Sequence, residues 1–365
     1  MNTVETENIV FSYKDIERLG KTNLSDKLIK YIYGGADQHQ CVERNKTDIE
    51  KILLMPKVCA NLEERCLETE ILGHKIGMPF GFSPTMCRAW INDYGEIQAA
   101  RAASDNNIPF GLSSYAETSI EQVGKSVREK NCLKIMQMNV YSKDSMNEEI
   151  IKRLEKSGFH AIAITLDHAV HGNRSFDKAI EEDNSTVHWP MPNFPKGILS
   201  ELMKDTSKDA SEVDSYCQTW DDIRRLKKLT KLKILAKGIC KPEDALAAVE
   251  AGVDAVWVSN HGGRQLGDGP STIESLRRIA PVLKGKGVEL YVDGGFSKGT
   301  DILKGLALGA NCVFFGRPVL SALAYDGEEG VEKLIEILSK ELKNAMALVG
   351  CSKVSDIDES ILWVE

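Results

Sequence analysis

The segment Val256–Pro270 reads VWVSNHGGRQLGDGP, a β-branched apolar run that ends in a histidine, two glycines and an arginine. A histidine titrates near neutrality and suits proton abstraction. Arg264 carries a planar fork of donors that matches a carboxylate in bidentate fashion. Gly262 and Gly263 let the chain turn tightly, so both side chains address one small molecule. Lys237 ends another apolar run, and a buried ammonium there needs a partner. Towards the C-terminus, Asp293-Gly294-Gly295 and Gly316-Arg317 combine glycine N–H groups with a cation, a chemistry suited to phosphate.

These groups sit at the ends of short apolar runs, of which the chain has eight: Met78–Pro84, Ile108–Ser114, Lys134–Val140, Ala161–Asp167, Lys233–Gly238, Ala255–His261, Glu289–Gly295 and Cys312–Pro318. Each is about the length of a buried parallel strand. Amphipathic segments that often close on glycine or asparagine separate most of them. Eight alternations predict an α/β fold, a (β/α)8 TIM barrel. A doubly wound open sheet is the alternative, but it wants a glycine-rich fingerprint after its first strand. In a barrel the strand ends converge on one face. They bring Ser83-Pro84-Thr85, Ser113-Ser114-Tyr115, Gln137 with Asn139, Thr165 with Asp167, Lys237, Ser259 with His261, Asp293 and Arg317 together. Residues 1–365 read as one barrel domain: an N-terminal helical cap over 1–77, the barrel over 78–350, and a lid over 168–218.

The balance of 42% hydrophobic and 27% charged residues is that of a soluble globular chain. A net charge of −8 argues against nucleic acid as the main partner. No apolar run approaches the roughly 20 residues of a membrane span. Nine scattered cysteines without a CxxC pair read as reduced thiols. The polar, acidic N-terminus and the SILWVE ending match no common targeting signal, so the cytoplasm is the expected location.

The ordered set Ser83-Pro84-Thr85, Lys237-Gly238, Ser259–Gln265, Asp293–Gly295 and Gly316–Pro318, with YIYGGADQ at Tyr31–Gln38, resembles the FMN-dependent 2-hydroxy acid oxidase and dehydrogenase family over about residues 10–355. The resemblance implies an FMN cofactor, a small 2-hydroxy acid substrate, oxygen or another electron acceptor, and a homotetramer. It implies that His261 is the base, paired with Asp167. Tyr31, Arg174 and Arg264 would hold the substrate carboxylate, and Tyr115 would face its side chain. Lys237 would stabilise reduced flavin. Pro84, Thr85, Met86, Ser113, Gln137, Thr165, Ser259, Asp293, Gly294, Gly295, Ser297, Gly316 and Arg317 would line the cofactor.

Four positions depart from that pattern. Asn139 stands where the family has a catalytic tyrosine, with Tyr141 two residues on. Gly267-Asp268 replaces an aspartate directly after Gln-Leu. Ser297 replaces an arginine expected on the phosphate. His168 and His171 form an HxxH pair beside Asp167. A pair of polar pocket or surface histidines is the expected reading, rather than a metal site. Asn139 also leaves room for two alternatives: an FMN barrel with altered substrate or isomerase-like chemistry, and a catalytically weak flavin-binding homologue.

Overall fold

The computed structural model describes residues 9–60, 65–86, 88–127, 132–174, 191–204 and 218–363. Eight parallel strands close into a barrel: β3 (Phe80–Phe82), β4 (Phe110–Leu112), β5 (Lys134–Met138), β6 (Ala161–Thr165), β7 (Lys233–Ile239), β8 (Ala255–Val258), β9 (Glu289–Val292) and β10 (Cys312–Phe315). They follow chain order around the ring, and β10 pairs with β3 to seal it. Seven strands lie within their expected runs, and β7 passes the end of its run by one residue, Ile239. Gln137, Thr165 and Lys237 still pair in the ladder, whereas Ser259, His261 and Asp293 follow the last residues of their strands.

Period two sorts the strand residues, because successive side chains point to opposite faces. Phe80, Phe82, Phe110, Leu112, Met136, Met138, Val256 and Val258 belong to the outer core beneath the helices. Ile135, Ala163, Leu235, Trp257, Tyr291 and Phe314 fill the interior. Trp257 and Tyr291 pack on Phe314 with ring centroids 4.1 and 5.5 Å away. Small residues opposite make the space. A Cβ on Gly81 would sit 3.1 Å from the Phe314 ring. The interior below the site is therefore a solid aromatic plug.

The cap is helical over α1 (Tyr13–Thr22), α2 (Asp26–Tyr33) and α3 (Gln40–Lys51). It then adds a hairpin that the helical reading of 1–77 did not include, β1 (Thr69–Ile71) and β2 (His74–Ile76). Leu72 and Gly73 both take left-handed backbone, φ 51° and 79°, as a two-residue hairpin turn of type I′ requires. Ile71, Leu72 and Ile76 join the barrel's inner cluster, and the Leu72 N–H donates to Glu289 at 2.6 Å. Glu289 begins β9, so the hairpin closes the N-terminal end of the barrel. Much of the expected lid, 175–190 and 205–217, lies outside the described residues. Between these segments α4 (Lys196–Lys204) is helical. No helix among the described residues is long and apolar enough to cross a membrane.

Candidate active site

One inward position above the aromatic plug, the strands turn polar together. Ser113 Oγ and the Ser114 N–H donate to Gln137 Oε1 at 3.3 and 3.0 Å, and Gln137 Nε2 donates to Thr165 Oγ1 at 2.9 Å. Across the ring, Lys237 Nζ lies 2.7 Å from Asp293 Oδ2 and 2.8 Å from Ser259 Oγ. Ser259 Oγ and Ser83 Oγ donate to the two oxygens of Asp293 at 2.5 and 3.0 Å. Asp293 is thus the partner that a buried Lys237 demands. Arg88, fully buried, ties two of these strand ends by donating to the Ser83 and Gly111 carbonyls at 2.8 and 3.1 Å. Burial lowers its pKa to about 10, with Glu96 opposing.

The next level holds a histidine–carboxylate pair. His261 Nδ1 lies 3.1 Å from Asp167 Oδ1. His261, Gly262 and Gly263 are three consecutive left-handed residues, φ 57°, 64° and 78°. A histidine seldom adopts that conformation, and such strain gathers at functional sites. Here the His261 N–H is held by Ser259 Oγ at 3.2 Å, and the Gly263 N–H by Asn260 Oδ1 at 3.1 Å. Asp167 depends on Gly238, whose φ is 104°. A Cβ there would lie 2.7 Å from Asp167 Cβ and Cγ. Gly238→Ala is therefore expected to lower stability by about 1–3 kcal/mol and to slow turnover by displacing Asp167. Urea unfolding and steady-state rates check this; a variant that matches the parent in both contradicts the placement.

Gln265 was quoted in the motif but given no role, yet it fastens the site. Its Nε2 donates to the carbonyls of Asp167 and Val170 at 2.7 and 3.1 Å. Its Oε1 accepts from the Gly172 N–H at 3.3 Å and from Arg174 Nη2 at 3.4 Å. Asn45 and Asn260 exchange two amide hydrogen bonds, 2.8 and 2.9 Å, and so dock α3 onto the motif loop. Arg264 Nη1 donates to the Tyr31 carbonyl at 2.6 Å, with its guanidinium 4.7 Å from the Tyr31 ring centre. The Tyr31 hydroxyl turns to Met86 Sδ at 3.0 Å. Tyr115 packs edge-on against Phe194, centroids 5.1 Å apart.

Ser297 and Arg317, both expected to line the cofactor, also hold the fold together. Ser297 Oγ donates to Asp301 at 3.3 Å and its N–H does so at 2.9 Å, where Asp301 caps the helix Gly299–Ala307. Arg317 donates to the carbonyls of Ile32, Gly34 and Gly262 at 2.8, 2.8 and 2.9 Å, pinning the end of α2 to the motif loop. Three peptide carbonyls converge there and take the fork. Burial, together with the nearby Arg264 charge, lowers its pKa to about 10. Gly294 and Gly295 remain in position, both at φ 94°. A Cβ on Gly295 would run into the Asn45 carbonyl.

The structure also accounts for the altered QLGDG segment. A side chain at Gly267 would strike Asp37, which accepts from Asn173 Nδ2 at 2.8 Å and ties the cap to the loop after β6. The shifted acid, Asp268, points to solvent 4.0 Å from Arg44. Tyr141 is buried in the outer core and does not stand in for the missing tyrosine.

Two histidines give the fold a pH slope. His160 accepts from the Lys134 N–H at 3.1 Å at the foot of β6, and His168 follows Asp167. Burial first, then nearby cationic groups, push both down to about 4. Between about 6.5 and that value the unfolded chain binds more protons, so stability falls as pH drops through this window. Asp167 extends the loss. Burial opposes its charge, but His261 and Lys237 outweigh this and hold its carboxyl below the usual value. Its contribution is present above about 3.9 and disappears as pH falls through the folded value. Denaturant midpoints are expected to drop from about pH 7 to about pH 5, and the paired change His160→Asn/His168→Asn is expected to flatten the slope. Equal slopes in parent and variant contradict this account.

The ring of hydroxyls, amides and one ion pair offers donors and acceptors to a polar ligand. Thr85 Oγ1, Asn139 Oδ1 and Asp167 Oδ2 are buried there without a hydrogen-bond partner among the described residues, and such groups call for one. Known proteins supply the context. The chain is 37% identical over 355 residues to 2-hydroxyacid oxidase 1 of Mus musculus, with 95% of each covered. It is 34% identical to a peroxisomal (S)-2-hydroxyacid oxidase of Arabidopsis thaliana, covering 98% of this chain and 97% of the relative. The crystal structure of mandelate oxidase with (S)-2-phenylpropionate superposes with a TM-score of 0.86 at 29% identity, covering 98% of this chain and 99% of that one. Residues 20–364 match the model of the FMN-dependent dehydrogenases. That span contains the polar ring, the His261–Asp167 pair and both arginines, and the chain belongs to the FMN-dependent dehydrogenase family.

Proposed function

We propose that this protein oxidises an L-2-hydroxy acid to the 2-keto acid with FMN as cofactor. The carrying observation is the His261–Asp167 pair, joined through the His261 N–H and Ser259 Oγ to the Lys237–Ser259–Asp293 network. With Nδ1 turned to Asp167, His261 presents Nε2 to the substrate and removes a proton as general base. The Asp167 carboxylate stabilises the imidazolium that results. Arg174 and Arg264 hold the carboxylate and set which face of the substrate carbon is presented. Bound FMN supplies the acceptor for the hydride equivalent. Thr85, Gln137 and Thr165 would hold the ring, and Lys237 would offset negative charge on it. Retention of the base and both arginines favours oxidation over isomerase-like chemistry.

Relatives named as oxidases support dioxygen as electron acceptor. The cytoplasm and a homotetramer complete the reading, on its scattered thiols and the family resemblance respectively. Anaerobic mixing of the FMN-loaded protein with a panel of 2-hydroxy acids tests the activity. Loss of the flavin's visible absorbance with at least one acid is expected. A fully loaded protein that no aliphatic, aromatic or polar 2-hydroxy acid bleaches overturns the proposal.

A further inference from the structure

We propose that Trp257 is a positioning residue for Lys237, its indole face holding the ammonium charge in place for the cofactor. This rests on the reading of Lys237 as the cation that offsets negative charge on reduced FMN. Lys237 Nζ stands over the Trp257 ring, 5.0 Å from its centre, within the reach of a cation–π contact. The β7–β8 ladder pairs the two residues, so the strands themselves set the contact. Trp257 is fully buried in the barrel interior, two residues before Ser259. The rings of Phe314 and Tyr291 fix its tilt, at centroid separations of 4.1 and 5.9 Å and interplanar angles of 37° and 86°. Tyr291 is anchored in turn, because its hydroxyl donates to Glu289 at 2.5 Å. Every ring of the interior cluster comes from β8, β9 or β10, whereas β5, β6 and β7 add only alkyl side chains to it. Ser259 and Asp293 follow β8 and β9, so the rings share the side of the barrel that carries the ion pair.

An ammonium has three donors and no acceptor. Asp293 Oδ2 and Ser259 Oγ take two of them, at 2.7 and 2.8 Å. A polar side chain at position 257 would compete for the third. The π face attracts the charge through its quadrupole and offers no directed oxygen or nitrogen, so the third N–H is left for the cofactor. An aliphatic side chain would also leave that N–H uncommitted, but it would desolvate the charge and return no attraction. Nζ would then gain by moving towards Asp293 and away from the cofactor. The choice of ring points the same way. Trp257 Nε1 is buried with no acceptor among the described residues, a cost that phenylalanine would avoid. Tryptophan presents the strongest π face of the aromatic side chains, and the contact with Lys237 gives that face a use.

The midpoint potential of bound FMN tests the idea on the full chain, by anaerobic equilibration with a dye of known potential. Trp257→Leu is expected to weaken binding of reduced relative to oxidised FMN by ~10-fold, which lowers the potential by about 30 mV for a two-electron couple. Trp257→Phe removes a similar volume but keeps a ring face, so its potential is expected to lie closer to the parent than to the leucine variant. In a Lys237→Met/Asp293→Asn background the same two changes are expected to give equal potentials, because the cation through which Trp257 acts is gone. The visible absorbance of bound flavin shows that each variant is folded and loaded, and Trp257→Met takes the place of a leucine variant that does not load. Equal potentials for the aliphatic and phenylalanine variants, or a difference between them that persists without Lys237, overturn the proposal and leave Trp257 a packing residue. A Lys237→Met/Asp293→Asn protein with the parent's potential overturns the reading of Lys237 itself, a separate outcome.

Discussion

His261→Asn is expected to lower the rate of flavin reduction by about 10²–10⁴-fold, the usual contribution of a positioned general base. Asparagine retains a donor for Asp167 and has no titrating nitrogen, so the loop should keep its shape while proton abstraction stops. The polar ring beneath is built from Ser113, Gln137, Thr165, Lys237, Ser259 and Asp293, none of which uses the His261 ring. FMN affinity should therefore change little. The limb of the pH–rate profile that reports the base should also disappear. Stopped-flow reduction under anaerobic conditions measures both effects. A variant reduced as fast as the parent, with the same pH limb, removes the base assignment.

Lys237→Met carries the largest expected effect on stability. It leaves Asp293 in a site that stays buried, with only Ser259 and Ser83 to satisfy its charge. Removing one partner of a buried pair costs about 3–5 kcal/mol, because the other charge remains without compensation. The double variant Lys237→Met/Asp293→Asn should recover much of the loss, since both charges are then absent. Flavin reduction should be slow in both, for want of the cation beside the ring. Urea unfolding in excess FMN distinguishes the cases. A single variant as stable as the parent, or a double variant worse than the single, contradicts the pairing.

The barrel was legible because each strand announces itself twice, by an apolar run and by its polar stop. The period-two pattern then explains why Gln137, Thr165, Lys237 and Ser259 share one level. The hairpin at Thr69–Ile76 was hard to read because its strands are three residues long and its turn places a leucine in left-handed backbone. The cofactor roles expected of Arg317 and Ser297 rest on position alone, and position does not announce their contacts within the chain. Their donors went to carbonyls and a carboxylate that other segments deliver, and no local pattern announces that. Gly267 looked like a defect until Asp37, distant in sequence, occupied its space. Gln265 is the residue that local reasoning should have caught, since a polar amide in the middle of a catalytic loop needs an explanation.

The Asn45–Asn260 clasp has a consequence for how the molecule is made. Its two halves are 215 positions apart, and Arg317 grips the end of α2 across 285. At ordinary translation speeds of about 5–20 residues per second, the first helices would leave the ribosome some ~10–40 s before their docking surface exists. In that interval the apolar faces of α2 and α3 have nowhere to pack. The active-site loop is thus completed by an early part of the chain waiting for a much later one, and slow synthesis would prolong the exposure of those helices to chaperones and proteases.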